Sequence, residues 1–127
     1  MGKRILAIDD NVDFLSILED MLKFEGFEVK TLSEPEKAED YISSFRPDLI
    51  VIDVFMPGRS GFNILEDFKE KGIYSEIPKI FLTCLDDDIE KMTAKACGVS
   101  KYLTKPFENE ELVGLINELL GGKPAYK

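Results

Sequence analysis

The sequence predicts an α/β fold: one parallel sheet with helices on both faces. Three observations carry this. Short aliphatic runs alternate along the chain with stretches of helical spacing, the pattern of repeated strand–helix units. The run Asp48-Leu49-Ile50-Val51-Ile52-Asp53 is apolar on both faces, as in a central parallel strand covered on each side. Polar residues cluster where these runs stop, at Asp9-Asp10, Asp53, Thr83 and Lys105, and open α/β sheets gather their ligands at the carboxyl ends of strands.

The first strand is Arg4-Ile5-Leu6-Ala7-Ile8, closed by Asp9-Asp10. Phe14, Leu15, Leu18, Met21 and Leu22 then recur at three and four residues, a first helix that Gly26 should terminate. Phe27–Leu32 alternates, as a half-exposed edge strand does. Ser33, Pro35 and Glu36 form a helix-start signature, with Ser33 as cap and Glu36 in the reciprocal position. Ala38, Tyr41, Ile42 and Phe45 supply that helix's inward stripe before Pro47 closes it.

After the central strand, Phe62, Ile64, Leu65 and Phe68 mark a third helix ending near Gly72. Ile77–Thr83 is a fourth strand, with Pro78 tolerable at its start. Asp86-Asp87-Asp88 opens a fourth helix with Ile89, Met92 and Ala96 as a thin apolar stripe before Gly98. Lys101–Thr104 is a fifth strand, and Leu112, Val113, Ile116, Leu119 and Leu120 lie on a fifth helix. Short connections imply right-handed crossovers. With 27–32 at an edge and the two most apolar strands adjacent at the centre, the strand order is 2-1-3-4-5, the flavodoxin-like arrangement. Residues 1–120 form one domain, and 121–127 read as a flexible tail or the start of a linker.

Composition narrows the function. The chain has 127 residues, enough for one core, with 44% hydrophobic and 32% charged residues, which argues for a globular domain. A formal net charge of -9 opposes direct binding to nucleic acid. No apolar run reaches the length of a membrane span, and Met1-Gly2-Lys3-Arg4 leads straight into a strand, so a cytoplasmic protein is expected. Cys84 and Cys97 lack metal-type spacing and read as reduced thiols. With no histidine in the chain, catalysis and metal ligation by histidine are excluded.

Adjacent strands lie ~4.8 Å apart, so Asp9, Asp10 and Asp53 should converge at one sheet edge. Two carboxylates at about 4 Å repel by roughly 4 kcal/mol at an effective dielectric of 20. The cluster therefore needs a cation or shifted pKa values. An all-oxygen donor set suits a hard ion such as Mg²⁺, with Mn²⁺ as the alternative. Adding the Thr83 hydroxyl and the Lys105 ammonium makes a cradle for a phosphoryl group, with Asp53 as the nucleophile. Plainer readings exist for each residue alone. Asp10 could cap the first helix, Thr83 could serve a turn, and Lys105-Pro106 could be a solvated bend. Their shared position at strand ends favours the joint reading.

These motifs resemble the receiver domain of bacterial two-component response regulators. The matching residues are Asp9-Asp10, Asp53 with Met56-Pro57 and Gly61 downstream, Thr83, and Lys105-Pro106-Phe107, over roughly residues 4–120. The resemblance implies that Asp53 accepts a phosphoryl group from the phosphohistidine of a sensor histidine kinase or histidine phosphotransfer protein. It implies Mg²⁺ ligation by Asp10, Asp53 and the main-chain carbonyl of Phe55, with Asp9 acting mainly through water. Lys105 would pair with phosphoryl oxygens and its bond to Pro106 would be cis. Thr83 would bond the phosphoryl group while Tyr102 turns inward, altering the face made by the fourth helix, fifth strand and last helix.

Two departures are mild: Ser60 stands where the family often has Asp, and Val99 where Ala is usual. Phe55 and Leu85, each two residues beyond a site residue, would shield the phosphoryl group from water and prolong the phosphorylated state. Phe14, Ile17 and Met21 cannot all face inward with Leu15, Leu18 and Leu22, so the first helix should expose apolar surface for a helical partner. Val113 and Leu120 offer a homodimer or an output partner a face on the last helix. Among rivals, a haloacid-dehalogenase-type phosphatase would need an acid where Phe55 stands. A flavin module's phosphate would be repelled by Asp9-Asp10-Asn11. A constitutive interaction module should have lost a site residue, and none is missing.

Overall fold

The computed structural model describes residues 2–56, 58, 60–83 and 99–121. Five strands, β1 (Arg4–Ile8), β2 (Glu28–Leu32), β3 (Leu49–Asp53), β4 (Lys79–Thr83) and β5 (Lys101–Thr104), pair in parallel in the order β2-β1-β3-β4-β5. The helices are α1 (Val12–Phe24), α2 (Ala38–Phe45), α3 (Gly61–Lys71) and α4 (Asn109–Leu119). The helix expected to open at Asp86-Asp87-Asp88, together with Cys84, Leu85, Cys97, Pro57 and the tail from Gly122, lies outside the described residues.

Strand alternation divides the apolar side chains into two cores. Leu6, Ile8, Ile50, Ile52 and Phe81 pack with Ala38, Ile42, Ile64, Leu65 and Phe68 from α2 and α3. Ile5, Ala7, Leu49, Val51, Ile80 and Leu82 pack with Leu15, Leu18, Leu22, Leu112 and Ile116 from α1 and α4. All five residues of β3 are buried, because it lies between β1 and β4 with helices on both faces. β2 alternates in burial, as an edge strand must with one face toward solvent.

Local chemistry sets the helix ends. Asn11 caps α1 by accepting a hydrogen bond from Phe14 N at 3.0 Å, so Asp10 is not the cap. Gly26, just past the C-cap Glu25, has φ 96°, a left-handed backbone that glycine adopts without steric cost. The expected Ser33–Glu36 capping box does not form. Glu34 instead flanks a short 3₁₀ turn, Pro35–Lys37, that runs into α2, and no side chain caps it. Proline prefers the first helical position, where its missing N–H costs nothing. That preference starts the turn at Pro35 and leaves Ser33 outside it.

At the amino-terminal edge of the sheet, Lys79 is buried. Its Nζ donates to Tyr74 O at 2.6 Å and Ile77 O at 2.7 Å, while burial lowers its pKa. No described helix is long and apolar enough to cross a membrane.

Candidate functional site

The five strands run the same way, so their carboxyl ends share one edge. The Ile8–Ile52 pairing puts the residues that follow, Asp9 and Asp53, side by side. Asp9 is 2% and Asp53 8% exposed, while Asp10 is exposed to solvent. The three residues can each offer a carboxylate oxygen within 4.8 Å of the others. Sequence spacing anticipated this convergence; the division of labour within it comes from the structure.

Asp9 employs both oxygens. Oδ1 accepts from Asn11 N at 2.9 Å, fixing the turn into α1, and Oδ2 accepts from Lys105 Nζ at 3.0 Å. The same ammonium stands 3.7 Å from Asp53 Oδ1. Lys105 is held there from the backbone, since its N–H donates to Thr83 O at 2.5 Å; its bond to Pro106 is cis.

One ammonium does not neutralise three carboxylates. Burial pushes the Asp53 carboxyl up from 3.8 to about 6, the Asp9 charge pushes the same way, Lys105 opposes both, and Asp10 adds a smaller rise. The site is thus short of positive charge. Its donors are oxygens alone, close together and partly open through Asp10, and this set fits a hard divalent cation.

Thr83 is fully buried at the end of β4, in register with Thr104. Tyr102 pairs with Phe81, two residues before Thr83, so it is a diagonal neighbour of Thr83 on the same face of the sheet. Its side chain is half-buried against the α2–α3 core. Phe55 is 46% exposed. Ile17 and Phe24 are exposed on α1, whereas Phe14 and Met21 are half-buried.

Two residues at the site have roles that sequence reasoning did not assign. Gly61, seen only as part of a motif, begins α3 against the end of β3. A Cβ there would lie 2.6 Å from Asp53 O, and Gly61 N donates to Val54 O at 2.8 Å. A glycine opening a helix was the available signal. Phe14, read as a helix-stripe residue, places its ring 4.2 Å beneath Lys105 Nζ. Nothing in the local pattern announces that contact. Ser60, the departure noted above, caps α3 in a reciprocal box with Asn63, both bonds 3.1 Å, a task Asp would also perform.

Known proteins share this architecture. The family described as the response regulator receiver domain matches residues 5–117. Chemotaxis protein CheY4 of Vibrio cholerae is 28% identical with a TM-score of 0.87, over 94% of this chain and 99% of that one. The receiver domain of Francisella response regulator 1452 is likewise 28% identical at a TM-score of 0.87, covering 94% and 98%. A CheY-like receiver domain protein from Methanospirillum hungatei is 26% identical at 0.86, covering 95% of both chains. A match over nearly the whole chain, on a fold whose strand ends carry this acidic cluster and its lysine, makes the protein a member of the response regulator receiver domain family.

Proposed function

We propose that this receiver domain is a phosphorylation-controlled switch in which Asp53 is the phosphoacceptor. The donor is the phosphohistidine of a sensor histidine kinase or histidine phosphotransfer protein. An Asp53 carboxylate oxygen attacks phosphorus, the P–N bond breaks, and the imidazole leaves as the aspartyl phosphate forms. The observation that carries this reading is the placement of Lys105 Nζ between Asp9 Oδ2 and Asp53 Oδ1, beside carboxylates short of positive charge. Lys105 would hold a phosphoryl oxygen on Asp53. Asp9, Asp10, Asp53 and the Phe55 carbonyl would hold Mg²⁺ or Mn²⁺, whose charge would offset that of the phosphoryl oxygens. At neutral pH, a carboxyl titrating near 6 is mostly ionised and able to attack.

Thr83 would donate its hydroxyl to the phosphoryl group, and Tyr102, its diagonal neighbour, would move into the space vacated. The consequence is a changed face around the predicted fourth helix, β5 and α4, presented to an output partner or a second copy. The chain acts as a switch that promotes its own phosphotransfer and loses the group slowly, helped by Phe55 and by Leu85, which lies outside the described residues. A groove between α1 and α4 with Ile17, Met21, Phe24 and Val113 in its wall supports docking of a helical partner. The reading places the protein in the cytoplasm, acting on protein partners rather than nucleic acid or membranes.

Incubation with acetyl phosphate and Mg²⁺, followed by intact mass, tests the assignment. One added phosphoryl group is expected, and none in Asp53→Asn. An equal gain in the variant, or none in the wild type, refutes it.

A further inference from the structure

We infer that Phe14 is a positioning residue that fixes the Lys105 ammonium against the carboxylates through its ring face. The inference rests on the phosphoacceptor reading, in which Lys105 meets the phosphoryl group.

A lysine ammonium is a compact, strongly hydrated charge on a flexible stem, and beside open solvent it swings toward water. Lys105 has solvent within reach, since its side chain is 25% exposed. Its Nζ is nonetheless held in the site by three neighbours: Asp9 Oδ2 at 3.0 Å, Asp53 Oδ1 at 3.7 Å, and the Phe14 ring, 4.2 Å away at the centroid. The ring occupies a direction that water would otherwise fill. Its negative π face attracts the cation without competing for the carboxylates' hydrogen-bonding capacity.

The ring is itself held. Phe14 meets Phe107 edge-on, with centroids 6.4 Å apart and planes at 87°. Phe107 lies two residues beyond Lys105, and Leu15, next to Phe14, is buried in the core beneath α1. The turn carrying the lysine and the helix carrying the ring are therefore locked together. When a phosphoryl group forms on Asp53, the ammonium needs only to shift its donors from Asp9 toward the new oxygens.

The test replaces Phe14 with Tyr, with Leu, and with trifluorophenylalanine incorporated at this position. The last keeps the ring's shape and removes its negative face. Phosphorylation by acetyl phosphate with Mg²⁺ is followed by intact mass, and the Lys105 Hε resonances are recorded by NMR without the phosphodonor. Phe14→Tyr should phosphorylate within about twofold of wild type, while Leu and the fluorinated ring should slow the reaction by about threefold to tenfold. The Lys105 Hε protons should show an upfield ring-current shift in wild type that disappears in Phe14→Leu. A fluorinated variant as fast as wild type overturns the inference, and so does an unchanged Hε shift in Phe14→Leu. A wild type that takes up no phosphoryl group overturns the phosphoacceptor reading and Phe14's role with it; the NMR comparison then separates that failure from absence of the contact.

Discussion

Lys105 Nζ donates to Asp9 Oδ2 at 3.0 Å, joining the ends of β1 and β5 across 96 residues of sequence and with β3 and β4 between them. The bond brings one positive charge to an acidic sheet edge. Asp9 is almost wholly buried, so removing the ammonium leaves its carboxylate unpaired where water cannot compensate.

Lys105→Met should therefore destabilise the metal-free protein by about 1–3 kcal/mol at pH 8. Asp53 is ionised at pH 8 and largely protonated at pH 5, given its pKa of about 6. The loss should accordingly be smaller at pH 5. Urea unfolding in EDTA at the two pH values checks this; equal losses would show that Lys105 does not balance Asp53.

Asp53 should cost stability in the absence of metal. Its carboxyl titrates at 3.8 in the open chain and about 6 in the fold. As pH rises through that window the unfolded chain loses its proton first, so stability falls, and above 6 the penalty is constant. Asp53→Asn should be more stable than wild type by about 1–3 kcal/mol at pH 7.5, with the difference vanishing toward pH 4. Thermal unfolding of both proteins in EDTA across that range measures it.

Mg²⁺ should stabilise the fold, because a cation relieves the crowding of Asp9, Asp10 and Asp53. At about 100 times its Kd the gain is about 2.7 kcal/mol, and below pH 6 it should shrink as protons compete for the oxygens. Asp10→Asn, a change at an exposed position, should keep the fold and lose most of this response in a melting-temperature titration.

Gly61→Ala should be destabilising by about 1–3 kcal/mol, although alanine is the better helix former. The added Cβ would meet Asp53 O at 2.6 Å, forcing α3 away from β3. A variant as stable as wild type in urea would mean that the helix start yields at little cost.

Much of this protein was legible in its sequence because the signals are local. An apolar run such as 49–52 has few structural solutions, and helical spacing marked where α1, α3 and α4 lie. With strand order inferred from edge and centre character, Asp9, Asp10 and Asp53 had to meet. The motif spacing carried the resemblance to receiver domains, and the family match bears it out. Where two local signals competed, at Ser33 and Pro35, the proline's fixed geometry prevailed over the cap.

Only the tertiary structure decided how the site is balanced. That Asp9 holds the ammonium while Asp53 stands slightly apart, with its carboxyl raised to about 6, follows from burial and distance. That a phenylalanine of the first helix lies under the lysine of the last loop, and that a glycine lets α3 approach Asp53, depends on how helices seat on the finished sheet. Periodicity tells which side of an element faces the core. It says nothing of which atoms from distant elements come to share a few ångströms, because packing sets that only once the whole sheet is assembled.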